Sequence, residues 1–129
     1  VLAHEDSAAL RRMAVFDVLV NNADRKGAHI LAMPGGHRHG VDHGLTFHVQ
    51  DKLRTVLWGW AGDPLTAGDL ERLSRLDGEL SRPEVVAELV ELITPTEIEA
   101  LRGRVESLLT TGSHPVPTGD WPAIPWPPL

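Results

Sequence analysis

Two aspartates stand inside short polar stretches, Asp24 in "NADRKGAH" (22–29) and Asp42 in "GVDHGLTF" (40–47). Each alone is explained by the preference of aspartate for turns. Together they suggest more. Phosphoryl transfer from a nucleotide needs one carboxylate near the acceptor hydroxyl and others on a magnesium ion that bridges the phosphates. Arg25 and Lys26 would add cations beside the transferring group, and Gly44 would let the chain turn sharply next to the metal.

Such chemistry requires that residues 24 and 42 meet in space. Ile30-Leu-Ala-Met33, a Pro34-Gly-Gly36 turn and Arg38-His-Gly-Val-Asp42 read as a β-hairpin. Asp24 precedes its first strand and Asp42 ends its second, so both fall at the same open end of an antiparallel pair. Upstream, Ser7 is a suitable N-cap for a helix whose apolar residues Leu10, Met13, Ala14, Phe16 and Val20 recur at helical spacing, ending at Asn21-Asn22.

Downstream, residues 49–60 are expected to form a short helix with Leu53, Val56, Leu57 and Trp60 on one side. Three further helix starts are signalled at Thr66, Ser81 and Thr94, the last two with a proline and an acid following. The expected core of this helical bundle, 66–110, is Leu70, Leu73, Leu76 and Leu80, then Val85, Val86, Leu89 and Leu92, then Ile98, Leu101, Val105, Leu108 and Leu109. Residues 113–129 are rich in proline and carry Trp121 and Trp126, so an extended strap with both tryptophans docked on the body is expected.

The 129 residues suffice for one domain and one core. A net charge of −6 argues against a nucleic-acid partner. The sequence has no cysteine, which excludes disulfides and thiolate chemistry and agrees with a cytoplasmic location. No apolar run approaches the roughly 18 residues of a membrane span.

The stretches "DVLVNNADRKGAHIL" and "GVDHGLTF" together resemble the catalytic and metal-binding loops of the phosphatidylinositol 3- and 4-kinase superfamily. They are most similar to the type II phosphatidylinositol 4-kinases, with Asn-Thr-Asp-Arg and Ile-Asp-Asn-Gly-Leu-Ala-Phe at these places, and to actinobacterial phosphatidylinositol-kinase-like proteins. The resemblance covers residues 10–60. It implies a mainly α fold with a short β-hairpin, the C-terminal lobe of a protein-kinase-like fold over residues 1–112, followed by the strap.

The same resemblance implies ATP and Mg2+ or Mn2+ as cofactors, and an acceptor that is a lipid, protein or small hydroxyl compound. Asp24 would be the catalytic aspartate with Arg25 beside it. Lys26 and His29 would contact the nucleotide, and Asp42 and His29 the metal. The family has asparagine where this chain has His29; magnesium prefers hard oxygen, whereas imidazole suits transition metals such as manganese. Nothing before Ser7 supplies a nucleotide-covering loop or a phosphate-binding lysine, so the chain, which begins at Val1, is expected to be part of a longer protein with an N-terminal lobe.

The alternative is a noncatalytic pseudokinase or binding module. A metal site among His37, His39, His43 and His48 would suit that reading, although histidines exposed on a hairpin are the plainer expectation. Arg11, Arg12, Lys52 and Arg54 fit solvated helix faces. Trp58 and Trp60 fit packing better than peripheral membrane contact, which tryptophan also favours.

Overall fold

The computed structural model describes residues 6–119 and 121–129. It is mainly helical with one two-stranded antiparallel hairpin: α1 (Ala8–Leu19), β1 (Ile30–Ala32), β2 (Arg38–Gly40), α2 (Ala67–Glu79), α3 (Pro83–Leu89) and α4 (Pro95–Thr111). Among the described residues no helix is long and apolar enough to cross a membrane.

Three of the four signalled helix starts hold. Ser7 accepts a hydrogen bond from the Leu10 amide, Thr66 accepts from Asp69, and Thr94 forms a capping box with Glu97, so orphan amides at three helix starts are satisfied by side chains. The hairpin pairs Ile30 with Gly40, Leu31 with His39 and Ala32 with Arg38. Gly35 and Gly36 both take positive φ in the turn, which glycine adopts without a Cβ clash.

Three clusters make the core, and α1 reaches all of them. Leu10, Met13 and Ala14 pack with Ile30, Leu57 and Trp60; Val15 packs with Leu65, Leu73 and Leu108; Leu19 joins Leu80, Leu101 and Val105. The helix therefore joins the hairpin on one side to the α2/α4 pair on the other.

Four expectations need correction. Residues 49–60 are not helical; the stretch runs extended between two partners. Arg54 donates its amide to the Asn22 carbonyl, Arg25 and Arg54 join amide to carbonyl, Val56 donates to Arg25, and Thr55 donates to Ala123 on the strap. The backbone groups of residues 54–56 that a helix would have used internally are thus largely taken up by neighbours, which overrides the helical periodicity.

Ser81 does not cap α3. Its hydroxyl donates to the Asp77 carbonyl in the last turn of α2, and extended Arg82 is the N-cap, with Pro83 opening the helix. The connection between the helices is too short to free Ser81 from α2. Leu92 is no core residue, being 81% exposed, because the short α3 lies at the edge of the bundle with only Val85, Val86 and Leu89 half-buried. On the strap, Trp121 is half-buried but Trp126 is 86% exposed: Pro125 takes the buried place, and the Ala123 and Pro128 carbonyls make the anchoring hydrogen bonds.

These burials predict a contrast between two leucines of the same expected core. Leu73→Ala should lower unfolding free energy by about 2–5 kcal/mol in denaturant titrations, whereas Leu92→Ala should change it by less than about 0.5 kcal/mol.

Candidate functional site

The loop from Asn21 to His29 is built on a charge inside the core. Asp17, on the buried face of α1, and Arg25, at the loop's centre, are both 0% exposed. Arg25 Nη2 donates to Asp17 Oδ1 at 2.8 Å and Nε donates to Oδ2 at 2.9 Å, a two-pronged pairing. Asn22 Nδ2 and the Thr55 hydroxyl also donate to this carboxylate, at 3.1 and 3.4 Å.

The rest of the guanidinium is occupied too. Nη1 donates to the carbonyls of His29 and Val41 at 3.3 and 3.4 Å, and Nη2 lies 2.7 Å from His43 Nε2. Since guanidinium can only donate, His43 accepts with Nε2 and carries its proton on Nδ1. Burial, with the Arg25 charge as the second cause, holds the His43 imidazole below its usual pKa, against smaller opposing effects of Asp17 and Asp42. Gly40 is required beside this cluster, because a Cβ there would come within 3.0 Å of Arg25 Nη1 and 3.1 Å of Nη2.

Arg25 was expected to stand as a cation beside a transferring phosphoryl group. Its enclosure and saturated donors make it instead the residue that positions the loop. Lys26, with its side chain 20% exposed, is the loop's accessible cation, and its Nζ lies 3.9 Å from Asp24 Oδ1.

The hairpin's open end brings the remaining residues together. The Val41 amide donates to the His29 carbonyl at 2.9 Å, extending the strand ladder by one bond toward Asp42. His29 closes a three-residue 3-10 turn, Gly27–His29, with Nδ1 2.9 Å from the Asp24 carbonyl and Nε2 3.4 Å from Asp42 Oδ2. The Lys26 amide also points at Nδ1, at 3.4 Å, so this nitrogen meets an acceptor and a donor at once: it carries the proton when it serves the Asp24 carbonyl and is bare when it accepts from Lys26. In the first tautomer the Nε2 lone pair and the Asp42 carboxylate repel unless a cation lies between them; in the second Nε2 turns an N–H toward Asp42.

Asp42 itself has φ +61°, a left-handed conformation that aspartate tolerates better than most residues. Asp24 is fixed through its backbone, its amide donating to Asn22 Oδ1 at 3.0 Å. Asp24, Lys26, His29 and Asp42 therefore form one linked group, and Arg25 lies beneath it.

The other histidines do not gather. His37 and His39 are exposed on the hairpin, His43 serves Arg25 and meets the Phe16 ring edge-on at 5.2 Å, and His48 Nδ1 accepts the Gln50 amide. Among the described residues no group of three His, Cys, Asp or Glu side chains is arranged to hold a metal ion. Trp60 is buried with its indole N–H on Asp6, and half-buried Trp58 donates its indole N–H to the Ala123 carbonyl.

Asp17 was not singled out from the sequence as a site residue. The available signal was an aspartate on an otherwise apolar helix stripe, where only a buried partner makes a carboxylate tolerable.

The chain matches no family model and no solved structure. It is similar to Protein Rv2133c of Mycobacterium tuberculosis, with 54% identity over 127 residues that make up 98% of this chain and 45% of that protein. The chain thus spans less than half the length of this relative.

Two predictions follow from the buried pair and its histidine. Asp17→Asn leaves Arg25 without its counter-charge and should cost about 3–5 kcal/mol of unfolding free energy, read by denaturant titration. A base with a depressed folded pKa stabilises the protein above its unfolded value, here 6.5, and that stability is lost as pH falls through the folded value. The stability difference between the native chain and His43→Gln should therefore shrink or reverse on acidification from about pH 7 to about pH 5.

Proposed function

We propose that this chain is the C-terminal lobe of an ATP-dependent phosphotransferase of the phosphatidylinositol-kinase type, transferring the γ-phosphoryl group to a hydroxyl acceptor. The observation that carries the reading is the bridge made by His29, from the Asp24 carbonyl to the Asp42 carboxylate, at the open end of the hairpin. It joins the two stretches whose resemblance to kinase loops is otherwise only sequential.

In this reading Asp24 orients the acceptor hydroxyl and takes its proton as the oxygen attacks the γ-phosphorus and the bond to ADP breaks. Asp42 and His29 Nε2 would hold the divalent ion, which when bound neutralises charge on the phosphate oxygens. Two protein ligands suit a magnesium-type ion, which keeps waters and substrate phosphates in its remaining positions. The imidazole biases that pair toward manganese. Lys26, the accessible cation of the loop, would face the nucleotide phosphates. The adenine-holding lobe would come from the part of the longer protein outside this chain.

One observation favours a second reading, a nucleotide-binding pseudokinase. With Nδ1 accepting from the Lys26 amide, His29 Nε2 would turn an N–H toward Asp42, and the contact would be satisfied without any metal.

The deciding measurement is ATP turnover by the longer protein with Mg2+ or Mn2+. Asp24→Asn and Asp42→Asn should each lower it by about 100-fold or more, and His29→Asn should raise the rate with Mg2+ relative to Mn2+. Turnover unchanged in both aspartate variants would remove the catalytic assignment. ATP binding without turnover would favour the pseudokinase.

A further inference from the structure

A cavity of about 340 Å³ lies on another side of the molecule, between the end of α1, the middle of α4, the extended stretch 49–58 and the strap. Its wall is mostly apolar, with Val18, Leu53, Trp58, Val116, Trp121 and Ala123 contributing. This volume falls within the range of small-molecule sites.

Two polar atoms on residues of this wall are buried without a partner among the described residues, Arg104 Nη2 and Trp121 Nε1. Both are donors. Arg104 is held by its other nitrogens, Nε donating to the Leu19 carbonyl at 2.8 Å and Nη1 to the His48 carbonyl at 3.3 Å. Neither of these is a carboxylate, so the guanidinium is half-buried with no anion bonded to it among the described residues. Burial lowers its pKa, only partly offset by the Asp51 carboxylate nearby. Asp51 is exposed at the rim, and its Oδ1 accepts the Leu53 amide.

Buried donors without acceptors are rare in folded proteins and call for an explanation. We propose that this cavity binds a small amphiphilic carboxylate, whose head accepts from Arg104 Nη2 and Trp121 Nε1 and whose apolar body lies against Val18, Leu53, Trp58 and Val116. A carboxylate supplies the acceptor oxygens and the counter-charge together, and an apolar tail replaces water on the wall. A cationic or neutral amphiphile of the same length supplies no counter-charge. The site is independent of the phosphotransferase reading, since none of Asp24, Lys26, His29 and Asp42 lines it.

The chain suits a direct test because two of its four tryptophans, Trp58 and Trp121, line the cavity. Sodium decanoate, kept below its micellar concentration, should change tryptophan emission saturably with one-to-one stoichiometry by calorimetry, and decylamine should not. Arg104→Gln should weaken decanoate binding by about tenfold or more, as expected for loss of a charge-assisted bond. Because Arg104 also holds two carbonyls, a second variant guards against misfolding: Val116→Trp, at an exposed strap position, should fill the cavity and abolish binding with the circular dichroism spectrum unchanged. Absence of saturable binding, equal binding of decylamine, or undiminished binding by folded Val116→Trp would overturn the proposal.

Discussion

The arrangement depends on the ion pair between Asp17 and Arg25. Removing two full charges from water is expensive, and their mutual attraction compensates only when the remaining donors and acceptors are also satisfied. Here they are: Asn22 and Thr55 complete the carboxylate, while two carbonyls and His43 complete the guanidinium. Those partners come from the loop, the extended stretch and the hairpin's open end. A pair of this kind contributes little net stability over an apolar substitute, but it tolerates only one relative placement of the segments that serve it. The loop carrying Asp24 is held between Asn22 and Arg25 for that reason.

The second constraint is a backbone one. Loop 22–25 has no regular structure of its own, so its amides and carbonyls must find partners elsewhere. The stretch around Thr55 provides them on one side and itself borrows from the strap at Ala123 on the other. Asn21 adds a side-chain version of the same device, its amide donating to the His48 and Gln50 carbonyls and its oxygen accepting from Lys52. The strap is therefore part of the support for the loop. Its anchoring at Gly27, through the Pro128 carbonyl, reaches the residue that opens the turn carrying His29.

What could be read from sequence divides along the same line. Helix starts at Ser7, Thr66 and Thr94 were legible because a cap is a bond between residues three apart. The Pro-Gly-Gly turn was legible because only glycine takes positive φ freely, and it set the hairpin register that brings residue 42 to residue 29. The stretch 49–60 was misread because its partners lie some 30 or more residues away along the chain, and apolar spacing says nothing about where backbone groups will be satisfied. Arg25 was misread for a related reason. An arginine next to an aspartate looks solvent-facing unless the lone acid on α1 is recognised as its partner.

The position of His29 shows how much such support decides. An imidazole offers two nitrogens that point away from each other, and the backbone here presents both the Asp24 carbonyl and the Lys26 amide to one of them, Nδ1. Fixing one nitrogen fixes what the other must do against Asp42: share a proton or share a cation. An asparagine in the same place would offer a carbonyl oxygen without depending on protonation. Histidine instead turns either an N–H or a lone pair toward Asp42, according to which of the two backbone contacts Nδ1 makes.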